Sequence, residues 1–89
     1  MNKEAMLLKL SRKWKLNNYG KVPIFLKHGD SFLNDNEFAD DFEYEISKAA
    51  IEYGFDVTPE EIANYAFIIN TENMEKKQLM DFCSEYPEI

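Results

Sequence analysis

The stretch Tyr53-Gly54-Phe55-Asp56-Val57-Thr58-Pro59-Glu60-Glu61-Ile62 (YGFDVTPEEI, residues 53–62) decides how this chain folds. Thr58 stands where a helix N-cap is expected, Pro59 at the first helical position, and Glu61 three residues after the cap. That is the spacing of a capping box, with proline where a missing N–H costs nothing. Val57 before the cap and Ile62 four residues after it are placed to form a hydrophobic staple. Upstream, Gly54 falls where a helix ends on a left-handed residue, and Phe55 can fold back on the last turn. The stretch therefore reads as the end of one helix and the start of another, joined by Phe55, Asp56 and Val57. Capping contributions are on the order of 1 kcal/mol each, enough to set a join and too little to make a fold.

Working outward, Phe38, Phe42, Ile46, Ala49, Ala50 and Tyr53 recur at helical spacing and predict a helix of about four turns. Asn34 or Asp35 is its expected cap, and Asp35 and Glu37 place negative charge near its positive end. Downstream, Ile62, Tyr65, Ala66 and Ile69 continue the next helix, with Asn70 and Thr71 expected to stop it and cap a last one. That last helix carries Met74, Leu79, Phe82, Cys83 and Tyr86 and ends before Pro87. Near the start, Leu7, Leu10 and Trp14 form one stripe and predict a helix from about Lys3 to Lys15, with Lys9, Arg12 and Lys13 away from the stripe. The sequence NNYG at 17–20 ends it. Residues 22–33, VPIFLKHGDSFL, fit either a short helix opened by Pro23 or an extended segment, and the short helix is the expectation.

No alternating pattern of strand length is present, so the expected class is all-α: a small bundle of four main helices with a short fifth near 23–28. Its expected core is Phe38, Phe42, Ile46, Ile62, Tyr65, Ile69, Leu79 and Phe82. A chain of 89 residues is one domain, able to bury roughly 60–65% of the surface exposed when unfolded. Within it, 1–21 reads as a basic helix and turn, 22–86 as an acidic helical body and 87–89 as a loose tail. Aromatic residues make up 15% of the chain, so some rings are expected at the surface, where they commonly anchor interfaces.

The formal net charge of −7 hides an asymmetry. Residues 1–28 hold seven basic side chains against Glu4 alone, a balance of +6, and the remainder holds three lysines against sixteen acids, a balance of −13. An acidic body repels phosphate backbones, which argues against nucleic-acid binding. The basic segment is expected to pack beside that body. A single cysteine excludes an intrachain disulfide and a set of thiolate ligands. With no apolar run near the roughly 20 residues a membrane span requires and no signal-peptide order, the expectation is a soluble cytoplasmic protein that does not bind membranes.

Candidate chemistry is thin. His28 is the lone histidine, and only Asp30 is near it in sequence, so a loop histidine is expected rather than a catalytic base. NDNEFADD at 34–41 lacks the glycine and the ligand offsets of a calcium loop. None of Ser11, Ser31, Ser47 and Ser84 stands in a nucleophile elbow or a phosphate loop. No catalytic residue, metal ligand or cofactor is expected, and the chain reads as a non-enzyme. Cys83 fits a small core residue by its spacing with Leu79 and Tyr86; its thiol is also the candidate modification position. GDSF at 29–32 resembles the attachment serine of an acyl carrier protein, and GFDVTPEE that family's later loop, but Ser31 to Val57 is longer than one carrier helix and turn require.

A broader match runs from FLKHGDSFLNDNEFADDF to ISKAAIEYGFDVTPEEI, roughly residues 25–62. It resembles the nitrogen-fixation-linked leader-peptide family of ribosomal peptide precursors. The matching features are an aromatic-leucine start (Phe25-Leu26), an aspartate before a helix (Asp35), small residues within it (Ala49, Ala50), and the run from Gly54 to Glu61. The resemblance implies a domain docked by a peptide-modifying enzyme or transporter, with no catalysis of its own. The sequence departs from the family in its basic first 24 residues and in lacking a double-glycine or glycine-alanine cleavage site after residue 62. A rival reading is a small acidic inhibitor or regulator, of phage or immunity type, occupying a basic site on another protein. Both readings expect aromatic and acidic residues exposed on the second main helix and its turn, and the partner-binding candidates are Asp40, Asp41, Glu45, Tyr53, Phe55, Asp56 and Glu60.

Overall fold

A computed structural model describes residues 2–19 and 36–85, with side chains from residue 40 onward in the second segment. Within these residues the chain is all-α, with no strand. The helices are α1 (Lys3–Asn17), α2 (Asn36–Glu52), α3 (Pro59–Thr71) and α4 (Lys76–Glu85). The expected short helix near 23–28, the caps Asn34 and Asp35, and the tail 87–89 lie outside the described residues, as do the side chain of Phe38 and all of Tyr86.

The join between α2 and α3 follows its chemistry. Gly54 takes φ +84°, donates its N–H to Ile51 O at 2.9 Å, and Phe55 donates to Ala50 O at 2.9 Å. These two bonds form a Schellman motif that satisfies the last carbonyls of α2. Phe55 and Val57 pack against the core. Thr58 Oγ1 then accepts from Glu61 N at 3.2 Å while Glu61 Oε1 accepts from Thr58 N at 3.0 Å. The capping box is complete.

The packing centres on α1. This helix packs against each of α2, α3 and α4, and α2 packs against α3. The main cluster joins Met6, Leu7, Leu10 and Trp14 of α1 to Phe42, Ile46 and Ala50 of α2 and to Ile62, Ala66 and Ile69 of α3. Trp14 meets Phe42 edge to face, with centroids 5.1 Å apart, which sets the first half of α2 beside the end of α1. Leu79 of α4 is fully buried.

Several expectations need correcting. The expected core omitted α1, which supplies the centre. Tyr65 and Phe82, expected inside, are only half-buried. Tyr65 donates its hydroxyl to Glu4 O at 3.3 Å, and Phe82 lies 4.5 Å under the Arg12 guanidinium, so each ring has a polar neighbour that keeps it at the rim. Lys9 does not lie away from the apolar stripe but is buried, 1% exposed, because α1 has neighbours on more than one side. Met74 precedes α4 instead of riding on it. Asn70 and Thr71 do not cap that helix: it begins at Lys76, and the N–H of Glu75 just before it donates to Gln78 Oε1 at 2.8 Å. Asn70 is carried into the interior with both amide atoms unbonded, a local cost on the order of 1–3 kcal/mol that the surrounding packing offsets.

No atom lies within 4 Å of a Cβ built on Gly54, so its role is conformational. Gly54→Ala is expected to lower stability by about 1 kcal/mol through left-handed strain alone, with an unchanged urea slope. Phe42→Ala is expected to cost about 3–5 kcal/mol in the same urea titrations, since it empties a fully buried site at the α1–α2 contact.

Candidate functional site

Three basic side chains of α1, Lys3, Arg12 and Lys15, make contacts along α3. Lys3 Nζ bonds Glu61 Oε1 and Oε2 at 3.0 and 2.9 Å. Arg12 grips Glu72 with two bonds, Nε to Oε1 at 3.1 Å and Nη2 to Oε2 at 3.0 Å. Lys15 Nζ donates to Ile69 O, one of the carbonyls left unpaired in the last turn of α3. Contacts start to start and end to end mean that α1 and α3 run in the same direction. The last turn of α3 has no basic residue of its own, so Arg12 and Lys15 supply positive charge where the helix dipole is negative. Burial pushes the Lys15 amine below its ordinary value against the pull of Glu72, with Arg12 adding to the lowering.

The outer wall of α2 is built differently. Phe42, Ile46 and Ala50 face the core, so residues half a turn away must face out. Asp40, Glu43, Tyr44, Ser47, Lys48 and Ile51 line a shallow depression along that outer stripe. Tyr44 is 66% exposed and Ile51 67%. Asp41, Glu45 and Glu52 are exposed beside them. Among the described residues no ion pair holds Asp40, Asp41, Glu43, Glu45 or Glu52.

Of the sequence candidates, Asp40 lies in the depression, and Asp41 and Glu45 stand exposed on the same helix. Tyr53, placed by periodicity on the inner face, is 48% exposed at the end of α2. Asp56 and Glu60 are exposed around the α2–α3 join, whereas Phe55 is half-buried against the core. Sequence reading passed over Glu43, Tyr44 and Ile51. The signal was available, since Tyr44 and Ile51 are large apolar residues out of phase with the Phe42–Ile46–Ala50 stripe.

A second concavity, of about 430 Å³, lies between the end of α1 and the α3–α4 loop, lined in part by Lys15, Tyr19, Glu72, Glu75 and Lys77. Its charges are mixed, and two of them, Lys15 and Glu72, are already engaged with α3 and α1. Cys83 is half-buried; burial raises its thiol pKa, with Lys13, Lys9 and Arg12 pulling the other way. His28 and Ser31 lie outside the described residues. Among the described residues no group of three or more His, Cys, Asp or Glu side chains is placed to hold a metal ion, and no helix is long and apolar enough to cross a membrane. No family model matches the chain, and neither a curated protein nor a solved structure does.

The Glu61 carboxyl is held below its ordinary range, first by the hydrogen bond from Lys3 and then by the Thr58 N–H. A folded value below the unfolded one means the stabilisation is present above the ordinary glutamate range and is lost as pH falls through the folded value. Glu61→Gln is therefore expected to melt lower than the wild type at neutral pH, with the gap closing in acid; a gap that persists in acid would show that charge is not the cause. For Cys83, the raised pKa predicts alkylation at mildly alkaline pH slower than that of a free thiol, becoming fast when the chain is unfolded in urea.

Proposed function

We infer that this chain is a non-catalytic protein-binding domain, and in its specific form a leader-like domain held by a peptide-modifying enzyme. One observation carries the binding reading: the wall of α2 opposite the core exposes Tyr44 and Ile51 among carboxylates that have no ion-pair partner among the described residues. Large side chains ringed by charge are the composition of an anchor and its rim. The capped join at residues 53–62 and the small residues Ala49 and Ala50 of α2 support the leader version, because these are the features its resemblance rests on. A second reading, a small acidic inhibitor seated in a basic site, is favoured by the same wall, whose five described carboxylates face one lysine, Lys48.

A photoreactive phenylalanine analogue at position 44 or 53, expressed in the native cell, is expected to yield a covalent adduct with one protein. The same analogue at the exposed position 64 on α3 is expected to yield none. Equal adducts from all three positions, or none from 44 and 53, would remove the binding reading. Mass spectrometry of the chain from that cell separates the two versions. A changed mass within 81–89, or clipping there, is expected of a precursor held by its modifying enzyme, and an unaltered chain of an inhibitor.

A further inference from the structure

We propose that the outer wall of α2 docks a basic amphipathic helix of another protein, with Tyr44 and Ile51 as its apolar anchors and Asp40, Glu43 and the flanking carboxylates as its charge complement. The inference rests on the protein-binding reading and adds the chemistry and shape of the partner. Tyr44 and Ile51 are seven residues apart on one stripe of one helix, so they lie about 10 Å apart along its axis. An incoming helix presents apolar side chains at that same two-turn repeat, which lets its ridge settle between them. Ser47 lies midway between the two and is small, leaving room for a knob from the partner.

Charge selects the occupant. α2 carries Asp40, Asp41, Glu43, Glu45 and Glu52 exposed against Lys48, and no ion pair among the described residues holds any of these carboxylates. Three cations of α1 are engaged with α3 instead: Lys3 with Glu61, Arg12 with Glu72 and Lys15 with Ile69 O. A second copy of this chain would bring the same acidic wall against the first, and like charges in an interface are costly. A helix with Lys or Arg on either side of its apolar stripe relieves that repulsion and covers both anchors.

The test uses a synthetic peptide of about 18 residues, a length of about five helical turns, with leucine every three or four residues and lysine or arginine elsewhere. Its binding to the full chain is read by fluorescence anisotropy, and its helicity by circular dichroism. Binding with a gain in peptide helicity is expected. Tyr44→Ala/Ile51→Ala is expected to weaken it at least about tenfold, and Asp40→Asn/Glu43→Gln by a similar factor that shrinks as salt is raised. Phe67→Ala, which trims an exposed apolar residue of α3, is expected to leave it unchanged. All the substituted positions are exposed, and thermal melts confirm that each variant folds. No binding, equal binding by a peptide with serine for leucine, or no loss in either double variant would overturn the proposal. So would a dimer in sedimentation velocity that Tyr44→Ala/Ile51→Ala dissolves, because a second copy would then own the face. An adduct from position 44 in the cell without binding of the basic peptide would leave the protein-binding reading standing and remove only the basic helix.

Discussion

The arrangement depends on burying α1 against three other helices at once. Met6, Leu7, Leu10 and Trp14 are drawn into the core, and the same helix carries four of the chain's ten basic side chains between Lys9 and Lys15. A helix so placed cannot keep all its cations in water, so some must find acceptors within the protein. Glu72 and Ile69 O supply them for Arg12 and Lys15. Because both acceptors lie near the end of α3, the charge requirement of α1 and the dipole requirement of α3 meet in one set of contacts. The parallel course of α1 and α3 follows from where those acceptors sit.

The join at residues 53–62 sets the other half of the geometry. A Schellman motif followed by a capping box leaves few degrees of freedom between α2 and α3. Glu61 also serves two elements: it closes the box around Thr58 and receives Lys3 from α1. A local device of the sequence is thereby tied to the central helix. Once α3 is fixed by the turn at one end and by Arg12 and Lys15 at the other, α2 has one face left for the core. Its opposite face is left with carboxylates that no ion pair holds among the described residues and with two large apolar side chains.

Much of this was legible from residue spacing. The capping box, the glycine at the end of α2, the inward stripe of Phe42, Ile46 and Ala50, and the all-α class are local properties, each set within one or two helical turns. Tyr53 shows the limit. Periodicity assigned it inward, but it stands one residue past the end of α2, in the turn, and is 48% exposed. Met74 and the start of α4 show another limit: Asn70 and Thr71 look like a stop and a cap, and α3 does end at Thr71, but the next helix begins only at Lys76 and Asn70 is buried. Of the candidate binding residues, the exposed acids were readable from composition, and Tyr44 and Ile51 from their being out of phase with the Phe42–Ile46–Ala50 stripe.

By itself the sequence determined where helices begin and end around residues 53–62, which faces of α2 and α3 are apolar, and that the chain is basic first and acidic after. Those are properties of neighbours in the chain, governed by hydrogen bonds and side-chain spacing within a few residues. Only the tertiary structure decided that α1 is the central helix, that Arg12 and Lys15 serve the end of α3, and that the carboxylates of α2 are left without counter-ions among the described residues. These outcomes join groups some sixty residues apart in the chain, as Arg12 and Glu72 are. Pairing at that distance is chosen by the sum of burial and charge over all the packed helices, which no local pattern contains.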